Sequence, residues 1–160
     1  MVILVVAGGT ANAQAGKESP AAGGTATTAD KAAIAAVLSR YQDALNASST
    51  DASMPLYTED GVFMPPYSQS AVGKPALRQT YDAVFKAITL HVRFHIDELV
   101  VMSPRWAFAR TNSAGTNTVN ATGAKSAEGN QELFIFRKGV DHKWRIARYS
   151  FSSTNPPPRG

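Results

Sequence analysis

Hydrophobic positions change period once along this chain, dividing it into a helical half and a stranded half. From Asp30 onward, Ile34, Val37, Leu38, Tyr41 and Leu45 recur at helical spacing. That stripe predicts an amphipathic helix capped by Asp30 and running to about residue 47. Residues 51–58 predict a short second helix, and residues 62–64 a brief strand stopped by Pro65 and Pro66. Gly73-Lys74-Pro75 opens a third helix, with proline in its first turn and Leu77, Tyr81, Val84, Phe85 and Ile88 as its apolar stripe. The period then falls to two. Val92, Phe94 and Ile96 take one face of a strand over 91–102, and His91, Arg93, His95 and Asp97 take the other. Strands over 106–119, 128–137 and 143–152 complete the set, with a turn at Asn120-Ala121-Thr122-Gly123. Three helices followed by a curved, mostly antiparallel sheet define an α+β domain.

The last two strands form a hairpin around Lys138-Gly139-Val140-Asp141-His142. Pairing Arg137 with Lys143 sets Phe136 against Trp144, Phe134 against Ile146, Glu132 against Arg148 and Asn130 against Ser150. All eight of these side chains then share one face. A slip of two residues places Phe134 against Arg148 and Glu132 against Ser150, a poorer match. The favoured register therefore predicts a Glu132–Arg148 ion pair among aromatic neighbours. A buried carboxylate left without a partner costs about 3–5 kcal/mol. The other face carries Leu133, Ile135, Ala147, Tyr149 and Phe151, so both faces of the hairpin read as apolar. One is expected to cover the helices and the other to meet a second copy of the chain.

The chain has 160 residues, enough for one domain with a real core. Its net charge is +4, and residues 1–29 hold only Lys17 and Glu18, so the excess lies in the remainder. The basic residues are scattered and form no run or aromatic-interleaved stripe, which argues against nucleic acid as a partner. The absence of cysteine excludes disulfides, zinc-thiolate sites and a cysteine nucleophile. The apolar start, followed by small-x-small sites after Ala13 and Ala15, predicts a secretory signal over 1–15. A secreted or periplasmic location follows, or a cytoplasmic one if the run is no signal. The run is too short to span a membrane. Residues 16–29 then read as a flexible leader, 30–154 as the domain, and 155–160 as a proline-rich tail.

The order of these elements resembles the SnoaL-like branch of the nuclear transport factor 2-like superfamily, with closest likeness to its SgcJ/EcaC-type group. Tyr41, Leu56-Tyr57-Thr58-Glu59-Asp60-Gly61-Val62-Phe63, Met64-Pro65-Pro66 and Gly73-Lys74-Pro75 carry the first half of the likeness. Phe94-x-Ile96-Asp97-Glu98, Ala109-Arg110-Thr111, Asn130-x-Glu132-Leu133-Phe134, and the stretch from Trp144 to Phe151 with Thr154-Asn155-Pro156-Pro157 carry the second. The resemblance implies a cone-shaped, cystatin-like roll: a bent sheet wrapped around helices, enclosing a pocket for a small organic molecule. It also implies homodimers joined through the sheet. Fold alone does not give function, since relatives range from isomerases and cyclases to adaptor domains. Against ketosteroid isomerase, Tyr41 matches the tyrosine that hydrogen-bonds the developing enolate. The general-base aspartate falls at Pro65, which takes no proton, and Glu132 lies near the second acidic residue.

Two readings of the candidate site stay open. In one, Glu132 is a pocket acid or base, Tyr41 a donor, and Arg148 and Arg110 anion stabilisers of cofactor-free isomerase, cyclase, dehydratase or hydrolase chemistry. In the other, Glu132–Arg148 only braces the sheet of a non-catalytic binding or assembly module. Tyr57, Phe63, Met64, Tyr67, Tyr81, Phe85, Asn130 and Phe134 are expected to line the pocket. Asp60, before Gly61, reads as turn chemistry. His95 and Asp97 have the spacing of a metal pair, but Arg93 between their neighbours argues against a cation. No GxGxxG and no flavin or metal signature is present, so no cofactor is expected.

Overall fold

The computed structural model describes residues 21–155, with side chains from Thr27 onward. Helix α1 spans Ala21–Asn46, α2 Thr50–Ser53 and α3 Gly73–Ala87; a 3-10 turn, Met54–Leu56, follows α2. The strands are β1 Tyr57–Met64, β2 Ala71–Val72, β3 Ile88–Ser103, β4 Trp106–Val119, β5 Lys125–Lys138 and β6 Trp144–Ser153. They form one sheet in the order β2-β1-β6-β5-β4-β3, antiparallel except for the β1–β6 pair. This is the expected α+β roll of three helices on a curved sheet.

The apolar stripe of α1 is buried as the sequence predicts: Ile34, Val37, Leu38, Tyr41 and Leu45 all enter the core. The helix starts ahead of Asp30, so residues 21–29 belong to it rather than to a flexible leader. Asp30 is no cap. It accepts Trp144 Nε1 at 2.9 Å and Lys138 Nζ at 2.5 Å, pinning α1 to the end of the β5–β6 hairpin. The expected signal over 1–15 lies outside the described residues. Residues 57 and 58, assigned to the second helix by sequence, start β1 instead. Pro55 sits in the 3-10 turn, and the chain leaves it extended at Tyr57.

The expected hairpin register is wrong. Lys138 pairs with Trp144, Arg137 with Arg145 and Phe136 with Ile146. That is the two-residue slip that looked poorer, and a bulge at Ala147 removes its penalty. Beyond the extra residue Ile135 pairs with Arg148, Phe134 with Tyr149 and Glu132 with Phe151. A bulge inverts which side chains face the core. Tyr149 and Phe151 therefore turn inward, and Arg148 turns to the outer face. Tyr149 stacks on Phe134 with ring centroids 4.3 Å apart and planes 7° apart. The predicted Glu132–Arg148 ion pair does not form. Arg148 donates to the carbonyls of Asp60 and Ala147 instead.

Strands β3 and β4 approach each other closely at Gly115, which pairs with Val92. A Cβ there would lie 1.9 Å from the His91 carbonyl oxygen, so the position admits only glycine. Leu90, Val92 and Phe94 of β3 pack toward the core, and a space lies between them and α3.

Candidate functional site

That space is a cavity of about 490 Å³. Tyr41 and Leu45 of α1, Thr80, Tyr81 and Val84 of α3, and Phe63 of β1 form one side. Leu90, Val92 and Phe94 of β3, Ser113 of β4, Glu128 and Asn130 of β5, and Tyr149 and Phe151 of β6 form the other. Pro65, Ser68 and Gln69 close the rim. The volume suits a small organic molecule, and the wall is mainly apolar with a few convergent polar groups.

The first polar group is a tyrosine cluster. Tyr41, Tyr57 and Tyr81 are buried at 2 % exposure or less. Tyr81 hydrogen-bonds the Tyr41 hydroxyl and, at 2.7 Å, the Tyr57 hydroxyl. Helical spacing on α1 and α3 aims Tyr41 and Tyr81 at each other, and β1 delivers Tyr57 beside them. Burial is the largest cause pushing all three phenols well above their ordinary pKa, with neighbouring tyrosines adding to it. Tyr149 is raised the same way, with Glu132 as the next cause. The phenols therefore stay protonated and serve as donors. Three phenolic protons supply two hydrogen bonds within the trio, which leaves one O–H to give to a further acceptor.

The second group is Glu132, buried at 3 % exposure. Thr111 Oγ1 donates to its Oε2 and Ser113 Oγ to its Oε1. Burial raises its pKa, and the two hydroxyls pull against that. Asp97 and Glu128 add to the rise. Glu132 does not itself line the main cavity. It borders a second recess with Arg110, Thr111 and Phe151, and its hydrogen bond from Ser113 ties it to the wall of the cavity.

The third group is Glu128, which was not among the residues expected at the site. It lies in the cavity wall, its Oε1 accepting from Asn130 Nδ2 at 2.9 Å and its Oε2 from Asn117 Nδ2 at 3.1 Å. Asn130 Nδ2 also lies 3.4 Å from Ser113 Oγ. A line of polar contacts thus runs from Glu128 through Asn130 and Ser113 to Glu132.

Of the residues expected to line the pocket, Phe63, Tyr81 and Asn130 do so. Tyr57 and Phe134 are buried one layer behind, and Phe85 packs half-buried on the core. Met64 and Tyr67 point out to solvent: Met64 falls on the outer side of β1, and Tyr67 sits at positive φ in the following loop. Of the four expected catalytic residues, only Tyr41 faces the cavity. Arg110 is exposed on the outer face of β4, bonded to Glu98 at 3.1 Å and 3.7 Å from Asp97. Asp60 makes a two-pronged bond with Arg137, the first cause of its lowered pKa. His95 lies 3.8 Å from Asp97 on the outer face, where Arg110 and Asn112 also engage Asp97. Among the described residues no three potential metal ligands cluster. No helix among them is long and apolar enough to cross a membrane.

The family model for the SnoaL-like domain matches residues 38–147, and the chain belongs to that family, within the nuclear transport factor 2-like superfamily. Its fold matches the crystal structure of a ketosteroid isomerase-like protein from Erwinia carotovora atroseptica SCRI1043 with a TM-score of 0.77 and 38 % identity, covering 79 % of this chain and 98 % of that one. A conserved protein from Planctomyces limnophilus DSM 3776 matches at 0.70 and 23 %, over 79 % and 98 % of the two chains. A protein described as a putative aromatic ring hydroxylase, from Novosphingobium aromaticivorans DSM, matches at 0.69 and 22 %, over 81 % and 92 %. Other similar structures are described as having a cystatin-like fold. No functionally curated protein matches the chain.

Proposed function

We propose that the chain binds a small, partly apolar organic molecule in the cavity, and that its reaction there is cofactor-free acid/base chemistry of the isomerase, cyclase, dehydratase or hydrolase kind. The observation that carries this reading is the placement of the tyrosine donors in the wall of an otherwise largely apolar cavity. A neutral phenol held by a second phenol stabilises a carbonyl or a developing oxyanion without ionising itself. The Tyr41–Tyr81 pair occupies that role. Glu132 acts through Ser113, holding its hydroxyl in position, and Arg148 and Arg110 take no direct part.

A non-catalytic binding role is the second reading, and Pro65 favours it. Proline occupies the rim position where the resemblance to ketosteroid isomerase places the general base. The 38 % identical relative's name supports isomerase-type chemistry only for a chain that finds its base elsewhere.

Prodan, a neutral aromatic ketone whose emission responds to polarity and hydrogen bonding, tests the binding claim. Bound prodan is expected to emit as a hydrogen-bonded ketone in an apolar site. Tyr41→Phe should weaken it about tenfold, the value of one good buried hydrogen bond. Ala83 of α3 also lines the cavity, on its exposed side, and Ala83→Trp, which sets an indole across that opening, should abolish binding. Emission that never changes, or that changes equally with Ala83→Trp, contradicts the proposal.

A further inference from the structure

Glu128 is the one charged residue among the described lining of the cavity; no Lys, Arg or His shares the wall with it. It takes part in no ion pair among the described residues. Its two oxygens are instead held by the amide nitrogens of Asn130 and Asn117. That choice fixes how both amides are turned, because the reverse orientation would set a carbonyl oxygen against a carboxylate oxygen. The contact of Asn130 Nδ2 with Ser113 Oγ fixes it a second time.

The consequence falls on the other end of each amide. The Oδ1 atoms of Asn130 and Asn117 are buried and accept no hydrogen bond among the described residues. Asn130 is 8 % exposed, and it lines the cavity beside Glu128. A buried carbonyl oxygen without a donor is rare in a folded protein and calls for a partner. The wall at this end of the cavity therefore holds a charged acceptor and, beside it, an unpartnered carbonyl oxygen still closed off from solvent, while the tyrosine cluster offers a donor.

We propose that Glu128 and the Asn130 carbonyl oxygen form a head-group site for an organic ammonium ion, whose apolar body lies along Phe63, Leu90 and Phe94. The proposal rests on the small-molecule reading above and names the class of ligand. An ammonium group carries several N–H donors and a positive charge, so it satisfies the carboxylate and the carbonyl together. A neutral hydroxyl has one donor and leaves one acceptor empty. A calcium ion takes six to eight oxygen ligands, which two side chains do not supply.

Calorimetric titration of the full chain with tryptamine and with its neutral alcohol counterpart tryptophol, at pH 7, tests this, with prodan as the cavity control. Tryptamine is expected to bind at least about tenfold more tightly than tryptophol, as a charge-assisted hydrogen bond outweighs a neutral one. Glu128→Gln should bring the two ligands to within about twofold, with the loss falling on tryptamine. The wild-type comparison stands even if the variant does not fold. Equal binding of amine and alcohol, with prodan still bound, overturns the head-group site and leaves the cavity reading intact. Binding of neither indole and no prodan overturns both. Calcium binding that is lost in Glu128→Gln, without any amine preference, overturns the proposal in favour of a metal.

Discussion

Tyr81→Phe removes one oxygen atom from the centre of the tyrosine cluster, and its effect follows from the hydrogen bonds that atom makes. The Tyr81 hydroxyl bonds both Tyr41 and Tyr57, the latter at 2.7 Å. Each buried hydrogen bond contributes about 1 kcal/mol net. Tyr81→Phe loses two and should cost about 2 kcal/mol, and Tyr57→Phe loses one and should cost about 1 kcal/mol. The double variant loses the same two bonds as Tyr81→Phe alone, because the Tyr57–Tyr81 bond belongs to both residues. It should cost about 2 kcal/mol rather than the additive 3, a coupling of about 1 kcal/mol. Urea unfolding at pH 7, with unchanged m-values, reads all three. Additivity to within about 0.3 kcal/mol, or a Tyr81→Phe cost below about 0.5 kcal/mol, would show that the hydroxyls are not coupled as the structure places them.

Three other expectations follow from the same geometry. Burial raises the Glu132 pKa in the folded state, so the native protein holds that proton to higher pH than the unfolded chain. Stability from this group is then full below the ordinary carboxylate range and is lost as pH rises through the raised value. Glu132→Gln should flatten that part of the stability profile; a profile unchanged by the substitution contradicts the assignment. Gly115→Ala forces a Cβ against the His91 carbonyl, so it should cost several kcal/mol or yield insoluble protein, whereas a Tm within about 2 °C of wild type would refute the close approach. We also expect homodimers through the outer sheet face, where Leu133 remains 43 % exposed. Light scattering should report a dimer that Leu133→Arg converts to a monomer, and a wild-type monomer at micromolar concentration refutes it.

The existence and order of the elements were legible because each long element has a clear period. The stripe from Ile34 to Leu45 and the alternation from His91 to Asp97 both appear in the structure as read. The β5–β6 register was not, and the reason is local. A bulge at Ala147 costs little and leaves no mark in composition, yet it exchanges Arg148 for Tyr149 on the inner face. One inserted residue thus removed the expected ion pair and left Glu132 to two hydroxyls on β4, Thr111 and Ser113. Tyr41 was found because a polar tip on a buried stripe demands a partner. Glu128 was missed because its strand begins in an irregular stretch, Ser126-Ala127-Glu128-Gly129, where no alternation marks a face. The signal available was Asn117 and Asn130, two amides on neighbouring strands with no apolar reason to be buried.

The central claim is that the cavity holds a small organic molecule. Native mass spectrometry of the protein purified from its own source, compared with Ala83→Trp prepared identically, tests it most directly. The account predicts one bound organic species on the wild-type protein, carrying an amine, and none on the variant. A wild-type mass matching the bare polypeptide even after incubation with extract of the source cells, or the same species retained by Ala83→Trp, would contradict it.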